Sequence, residues 1–203
     1  MRRAVALLLL AVFLPRQLEA ARSDDVPEGT RSLTGQLLVA EPGLGDPNFS
    51  HTVVLMVQHD GLGALGLVLN RPYGRAPAGE LLKRLGVPDA AAHGDIELCY
   101  GGPVQPEVGM VVHSAEYILP DTRRVTTELS VTSSPEILRA IGTGHGPERA
   151  IAILGYAGWG PGQLESEIVG GSWFTIPADP ALVFAADPAG KWPEAVKRRG
   201  VDL

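Results

Sequence analysis

Short apolar runs, separated by glycine and proline, dominate the hydrophobic pattern of the chain. The run at 52–58 (TVVLMVQ) is continuous and rich in β-branched residues, which predicts a buried strand. The segment at 59–63 predicts a hairpin turn into the next strand. The other predicted strands are 36–40, 64–69, 96–100, 108–113, 124–130, 150–154, 172–176 and 182–185. This pattern indicates a strand-rich chain built from short elements.

Four short segments carry helix signals. At Ser134-Pro135-Glu136 a hydroxyl is followed by proline and an acid, and the helix signal ends at Gly142. The segments 78–85, 163–169 and 193–199 predict further short helices. Many short strands with a few short helices favour a single α+β domain that starts near Leu33.

The first twenty residues follow the order of a secretory signal peptide. Arg2 and Arg3 precede an uninterrupted apolar run of 11 residues at 4–14, and small residues follow at Ala20 and Ala21. The run is shorter than the roughly 20 apolar residues that cross a bilayer. We therefore predict a signal peptide at 1–20, a linker at 21–32, a domain at 33–203, and no membrane span in the mature chain.

Two alternatives to cleavage remain open for this leader. It could stay attached as an anchor, or the start codon could be misassigned, with translation beginning near 26–33. A cleaved leader places the protein in the periplasm or outside the cell. A misassigned start leaves it in the cytoplasm.

Composition and charge narrow the classes of partner. The chain holds Gly 25 and Pro 17 among 203 residues, which indicates many turns and excludes a long helical bundle. Lys and Arg number 17 against 23 Asp and Glu, a net charge of −6, and the basic residues are scattered. A nucleic-acid-binding protein normally carries a basic patch, so we expect no direct contact with nucleic acid. The single cysteine and five unclustered histidines predict neither a disulfide nor a metal site, and no cofactor is predicted.

Two glycine-rich segments resemble phosphate loops. The first, at 61–66 (GLGALG), is followed by a strand rather than a helix, which predicts a hairpin. The second, at 155–162 (GYAGWGPG), has no lysine, and Glu165 in the next turn would repel an anion. We interpret it as a tight turn anchored by Trp159. A site for a neutral or cationic ligand, or for a protein partner, is the alternative.

Other reactive side chains fit structural roles. Cys99 falls within a strand, where a buried apolar role is expected. Glu165 and Glu167 are two residues apart, which places them on different faces of a helix. His113 ends an apolar strand, so a hydrogen-bonded structural role is expected there.

Four blocks, taken together and in order, resemble the YqgE/AlgH family of bacterial proteins. The resemblance runs from about Leu33 to Val201 and implies one α+β domain whose bifurcated, mostly antiparallel sheet forms a pseudo-barrel. The family has no established reaction, and its transcriptional-regulator label is not accompanied here by a DNA-binding motif. This chain has Gly171 where the family usually has asparagine. The blocks are 33–40 running on to 46–49, 63–72, 100–104 followed by His113, and 155–159 running on to 162–167.

The polar residues of these blocks supply the candidate site. The first hypothesis is a non-enzymatic binding or regulatory module that acts through a protein or small-ligand partner. The second is a hydrolase-like enzyme with a cleft around His113, Asn70, Arg71 and Glu165. The third, direct DNA binding, is disfavoured by the acidic balance. The candidate residues are Asp46, Asn70, Arg71, His113, Trp159, Gln163 and Glu165.

Overall fold

The computed structural model describes residues 32–87 and 91–199. The signal peptide expected at 1–20 lies outside the described residues, as does the linker at 21–32 apart from Ser32. Within the described ranges, no helix is long and apolar enough to cross a membrane. The predicted α+β class and single domain are confirmed.

Ten strands form the sheet in the described part of the chain. Its main path has the order β10-β1-β2-β3-β9-β6-β8-β7, and neighbours on this path are antiparallel. The strands are β1 (Gln36–Ala40), β2 (Val53–Asp60), β3 (Gly63–Val68), β4 (Pro72–Pro77), β5 (Asp95–Tyr100), β6 (Val104–Ser114), β7 (Arg123–Arg124), β8 (Leu129–Thr132), β9 (Ala150–Trp159) and β10 (Trp173–Pro177).

The sheet branches at β9. Ile151 to Leu154 pair in parallel with β5, whereas Ala157 to Trp159 pair antiparallel with β3 on the same side. Strand β6 lies along the opposite edge. Beyond β5 only β4 continues that branch within the described residues. This split is the bifurcated sheet that the resemblance implied, and the sheet curls into a half-barrel.

Gly155 lies at the branch point, where two backbones come together. Its φ is +73°, and a Cβ built there would lie 2.6 Å from the carbonyl oxygen of Gly102. Only glycine fits that conformation and that approach. The turn predicted over 155–162 is therefore wrong in its first part: Gly155 to Trp159 continue β9, because the glycines serve close backbone packing rather than chain reversal.

Three of the predicted helices lie where expected, and one starts early. Helices α1 (Ala78–Arg84), α2 (Glu136–Gly142) and α3 (Gln163–Val169) match their predicted segments closely. Helix α5 (Pro188–Lys197) was predicted only from residue 193. The Asp187 side chain accepts a hydrogen bond from the Ala189 N–H, which caps the helix five residues earlier.

The structure corrects two predicted strands and adds one that was not predicted. The run at 182–185 forms no strand: its first half lies in helix α4 (Pro180–Val183), because the Asp179 side chain accepts the Ala181 N–H and proline occupies the first helical position. The alternating run at 124–130 is a hairpin, with its turn between β7 and β8. Strand β4 was not predicted, because two prolines and a glycine resemble a loop; proline is tolerated on such a strand at the edge of the sheet.

Apolar side chains form three layers around the sheet. The inner core fills the curl, where Leu182, Val183 and Ala195 of α4 and α5 pack against the sheet. The α3 layer packs Leu164 against the outer face near Trp159. The α1–α2 layer covers the β5, β6 and β9 branch. Each fully buried leucine, isoleucine or valine stabilises the fold by about 1.5–3 kcal/mol.

Candidate functional site

The polar candidates that follow β3 hold the long loop at 41–51. Asn70 is buried; its Oδ1 accepts the Val53 N–H at 3.0 Å and its Nδ2 donates to the His51 carbonyl at 2.8 Å. Arg71 Nη2 donates to the Ser50 carbonyl at 2.5 Å. Asp46 Oδ1 accepts the Asn48 N–H at 2.8 Å, an Asx turn within the loop. The side chains of Asn70 and Arg71 are thus committed to backbone groups of this loop.

An aromatic cluster anchors the same loop to α3. The Phe49 ring lies 5.6 Å from the Trp173 ring and 6.3 Å from the Trp159 ring, measured between centroids. One carboxylate oxygen of Glu167 accepts both indole N–H groups, at 3.0 Å from Trp159 and 2.8 Å from Trp173. Trp159, which was predicted to anchor this segment, therefore has Glu167 as its hydrogen-bond partner. The sequence had indicated only which face of the helix Glu167 occupies.

Gln163 extends this network to the turn before α3. Its Oε1 accepts the Gly160 N–H at 3.1 Å, and its Nε2 donates to the second Glu167 oxygen at 2.9 Å. Both Glu167 oxygens are therefore occupied. The network fixes the orientation of α3 against the sheet.

Glu165 pairs with a buried histidine that was not among the candidates. His59 Nδ1 accepts the Leu33 N–H at 3.0 Å, so its Nε2 carries the proton donated to Glu165 Oε1 at 2.9 Å. The backbone N–H of Glu165 and the His59 hydrogen bond hold the pKa of the Glu165 carboxyl below its usual value, against the opposing effect of burial. Glu165 and Glu167 do face different partners, as their spacing predicted.

His113 lies in a separate environment. It is fully buried at the end of β6, with Nδ1 donating to the Ser114 carbonyl at 2.9 Å, and its Nε2 has no partner among the described residues. Burial lowers the pKa of this imidazole, which keeps it neutral. The expected hydrogen-bonded structural role agrees with this geometry. The four residues of the enzyme hypothesis thus have three separate sets of contacts: the loop at 41–51, His59, and the end of β6.

An exposed patch with aromatic character lies beside Asp46. Tyr73 packs edge-on against Tyr100 with their rings 6.3 Å apart. Burial raises the pKa of the Tyr100 hydroxyl, and the nearby Tyr73 and Asp46 raise it further. His51, at φ +57°, places its ring 4.2 Å from that of Trp192. We call Asp46, His51, Arg71, Tyr73 and Tyr100 the loop face.

The loop face depends on contacts that sequence reasoning did not anticipate. The tyrosines come from β4 and β5, and β4 was not predicted at all. The only available signal was the Tyr100 position at the head of a matched block. Across the described residues, no group of three or more His, Cys, Asp or Glu side chains could hold a metal ion.

Comparison with known proteins identifies the family. A family model described as AlgH-like matches residues 37–203. The chain belongs to this AlgH-like family. A UPF0301 protein of Methylococcus capsulatus is 41% identical over 182 residues, which is 90% of this chain and 100% of that protein. A UPF0301 protein of Paracoccus denitrificans is 43% identical over 174 residues, covering 84% and 92%.

Solved structures agree with the AlgH-like assignment. The solution structure of the AlgH protein from Pseudomonas aeruginosa has a TM-score of 0.70 and 41% identity, over 85% of this chain and 91% of that one. A crystal structure of a Corynebacterium diphtheriae protein has a TM-score of 0.67 at 22% identity, over 85% and 89%, and supports the fold alone. The names of these relatives state no reaction, so the function is argued from geometry.

Proposed function

We propose that this AlgH-like chain is a non-enzymatic binding or regulatory module that engages a protein or small-ligand partner through the loop face. The observation that carries this proposal is the exposed Tyr73, packed on the half-buried Tyr100 beside Asp46 and Arg71. Tyrosine and arginine are enriched among residues that dominate binding energy at interfaces. The Tyr73 side chain is 61% exposed and so is available to a partner.

The hydrogen bonds of the candidate residues support binding over catalysis. Asn70 and Gln163 are engaged with backbone groups, and Glu165 is engaged with His59. A general base needs a free position within hydrogen-bond reach of a substrate proton. These side chains instead hold the loop and α3 in place, which gives the loop face a fixed shape for recognition.

The charge of the chain supports a partner other than nucleic acid. The net charge is −6, which disfavours contact with the phosphate backbone, so a regulatory role would act indirectly through a protein partner. A gel shift at physiological salt tests this point. We expect no retardation of duplex DNA at micromolar protein.

Binding through the loop face is tested by comparing three forms of the protein. The purified wild type, Tyr73→Ala and Leu62→Ser would each be cross-linked in extract of the native host, and captured proteins identified by mass spectrometry. Leu62 is the matched control, since its side chain is 83% exposed in the β2–β3 turn. We expect one partner shared by wild type and Leu62→Ser and depleted at least tenfold with Tyr73→Ala. Equal capture by all three forms would contradict the proposal.

The leader at 1–20 supports export, which would place partner binding in the periplasm or outside the cell. Intact mass spectrometry of periplasmic and cytoplasmic fractions distinguishes the alternatives. We expect a periplasmic species that begins near Ala21. A cytoplasmic species beginning near 26–33 would instead identify a misassigned start.

A further inference from the structure

A narrow apolar trough lies over the sheet branch that carries β5. Its volume is about 230 Å³. Leu81 of α1 and Leu85, directly after it, form one wall, and Leu138 of α2 forms the other. The floor is the sheet itself. The trough is therefore an opening in the α1–α2 layer above the sheet.

The floor of the trough is a row of side chains set by strand register. Leu98 of β5 pairs with Ala152 of β9, and Ala152 pairs with Val111 of β6. One step along, Gly109 pairs with Leu154. A Cβ built at Gly109 would meet only Leu154 Cδ2, at 3.7 Å, so the space above it is empty. The trough exists because small residues occupy the centre of the floor.

The mouth of the trough carries one cation. Arg84, in the last turn of α1, lines the opening and makes no ion pair with any described residue. Ser133 and Ser134, just before α2, also line the trough. Glu107 is the acidic residue of the rim. An apolar channel whose mouth carries a guanidinium with no ion-pair partner in the described ranges suits a ligand with an alkyl chain and an anionic head.

We propose that this trough binds an unbranched medium-chain carboxylate, with its alkyl chain over Ala152 and Gly109 and its carboxylate on Arg84. A water-sized group occupies about 30 Å³, so the trough holds about eight carbons. This site is distinct from the loop face and does not depend on the function proposed there. Leu98 and Tyr100 lie on the same side of β5, because side chains alternate along a strand, so both sites are built on one strand.

A chain-length series tests the proposal directly. Hexanoate, heptanoate, octanoate, decanoate and dodecanoate would be titrated by calorimetry below their micelle concentrations. Each methylene buried contributes about 0.8 kcal/mol, so Kd should fall about fourfold per carbon from six to about eight. Beyond that length the trough is full and Kd should level off. Octylamine should bind at least tenfold more weakly than octanoate, because its ammonium meets Arg84.

Substitutions assign the binding to the trough. Arg84→Gln should weaken octanoate binding about tenfold while the gain per methylene persists, whereas Lys83→Gln, its neighbour, should leave Kd unchanged. Gly109→Leu should fill the floor and abolish binding, with circular dichroism confirming that the variant folds. If Gly109→Leu does not fold, Gly109→Ala gives the same test: its methyl group takes up part of the floor, so Kd should level off about one carbon earlier than in the wild type.

Three outcomes would overturn the proposal. They are no binding of any carboxylate by the wild type, a Kd that keeps falling beyond ten carbons, and unchanged binding by Arg84→Gln. If the wild type binds no carboxylate, the trough would instead accept an apolar side chain of a partner protein or of a second copy of the chain.

Discussion

At the scale of single residues, Glu167 organises the most contacts of the α3 region. Its two oxygens accept hydrogen bonds from two indoles and one amide, which come from β9, β10 and the start of α3. Hydrogen bonds to a charged acceptor contribute about 1.5–3 kcal/mol. Glu167 therefore joins α3 to strands β9 and β10 through hydrogen bonds.

We predict that Glu167→Gln lowers the free energy of unfolding by about 2 kcal/mol. The glutamine amide has one acceptor oxygen and would direct an N–H toward another donor. Urea denaturation followed by tryptophan fluorescence measures the loss. Glu128→Gln, an exposed position, is the control and should change stability by less than about 0.5 kcal/mol. A variant as stable as wild type would remove Glu167 from this role.

His113 predicts a pH dependence of stability. Its pKa in the folded protein lies below the usual value of 6.5, because burial disfavours the imidazolium. The unfolded chain therefore binds the extra proton first, and the contribution of His113 is complete above pH 6.5 and is lost as the pH falls below it. Unfolding free energies between pH 7.5 and 5.5 should decline less steeply for His113→Leu than for wild type. Parallel profiles for the two proteins would contradict this assignment.

Gly171 and Gly155 share a left-handed backbone but differ in their surroundings. Gly171 has φ +76° with nothing within 4 Å of a built Cβ, and asparagine tolerates this conformation. The asparagine that the family resemblance implies at this position would keep the same backbone geometry. Gly155 has φ +73° but is enclosed by the backbone of Gly102 and Val104.

The two glycines should therefore respond differently to substitution. Gly171→Asn should be neutral within about 0.5 kcal/mol, and Gly171→Ala should cost about 1 kcal/mol from strain alone. Gly155→Ala should cost roughly 2–4 kcal/mol, because overpacking adds to the strain. Chemical denaturation of the three variants gives the comparison. Equal losses at both positions would show that the branch point has room for a side chain.

At the scale of elements, local signals predicted most helices and strands, whereas contacts between distant segments decided the exceptions. The buried run at 52–58 needs only its own apolar pattern, and β2 was found there. Strand β9 was predicted too short because its glycines have turn propensity. Gly155 is explained only by the close approach of the Gly102 backbone, which comes from a distant part of the sequence. Helix α4 was predicted as a strand because its apolar run is too short for a helical period to register.

The candidate site was predictable only in part, for the same reason. Trp159 was expected to anchor a turn, but nothing local to it identifies Glu167 as the acceptor. His59 and Glu165 are 106 residues apart in sequence, so their pairing depends on the complete fold. Tyr73 belongs to a strand whose composition resembles a loop. Polar residues that act through distant partners carry no local signature.

At the scale of the whole molecule, Lys191 connects helices α4 and α5, which close the curl of the sheet, to the end of β3. It is almost completely buried in α5, and its Nζ donates to the Val183 carbonyl of α4 at 2.8 Å and to the Leu69 carbonyl after β3 at 3.4 Å. Burial lowers the pKa of this ammonium, and nearby Glu97 partly opposes that shift. A buried cation held mainly by carbonyl groups makes the closure of the curl sensitive to pH.

We predict that wild-type stability rises relative to Lys191→Met between pH 7 and pH 10. The folded pKa lies below the unfolded value of 10.5, so the unfolded chain binds more protons in this range and the lysine stabilises least at low pH. The raised pKa of Tyr100 acts in both proteins and cancels in the difference. The charge of Lys191 lowers the Cys99 pKa, which burial raises to about 12, so this pKa would be higher still in Lys191→Met, and the folded thiol stays protonated below pH 10 in both proteins. Denaturant titrations of both proteins at three pH values would measure this difference in the free energy of unfolding. A constant difference would mean that Lys191 titrates normally.

The branch at β9 has a consequence for how the chain matures during synthesis. Strands β3, β5 and β6 all pair with a segment that leaves the ribosome after them, and β1 pairs with β10, which emerges later still. Such non-local pairing makes folding slow. The nascent chain would therefore stay open until most of it has been translated. That is the state a translocase can thread, so the topology itself would keep the polypeptide competent for passage across a membrane.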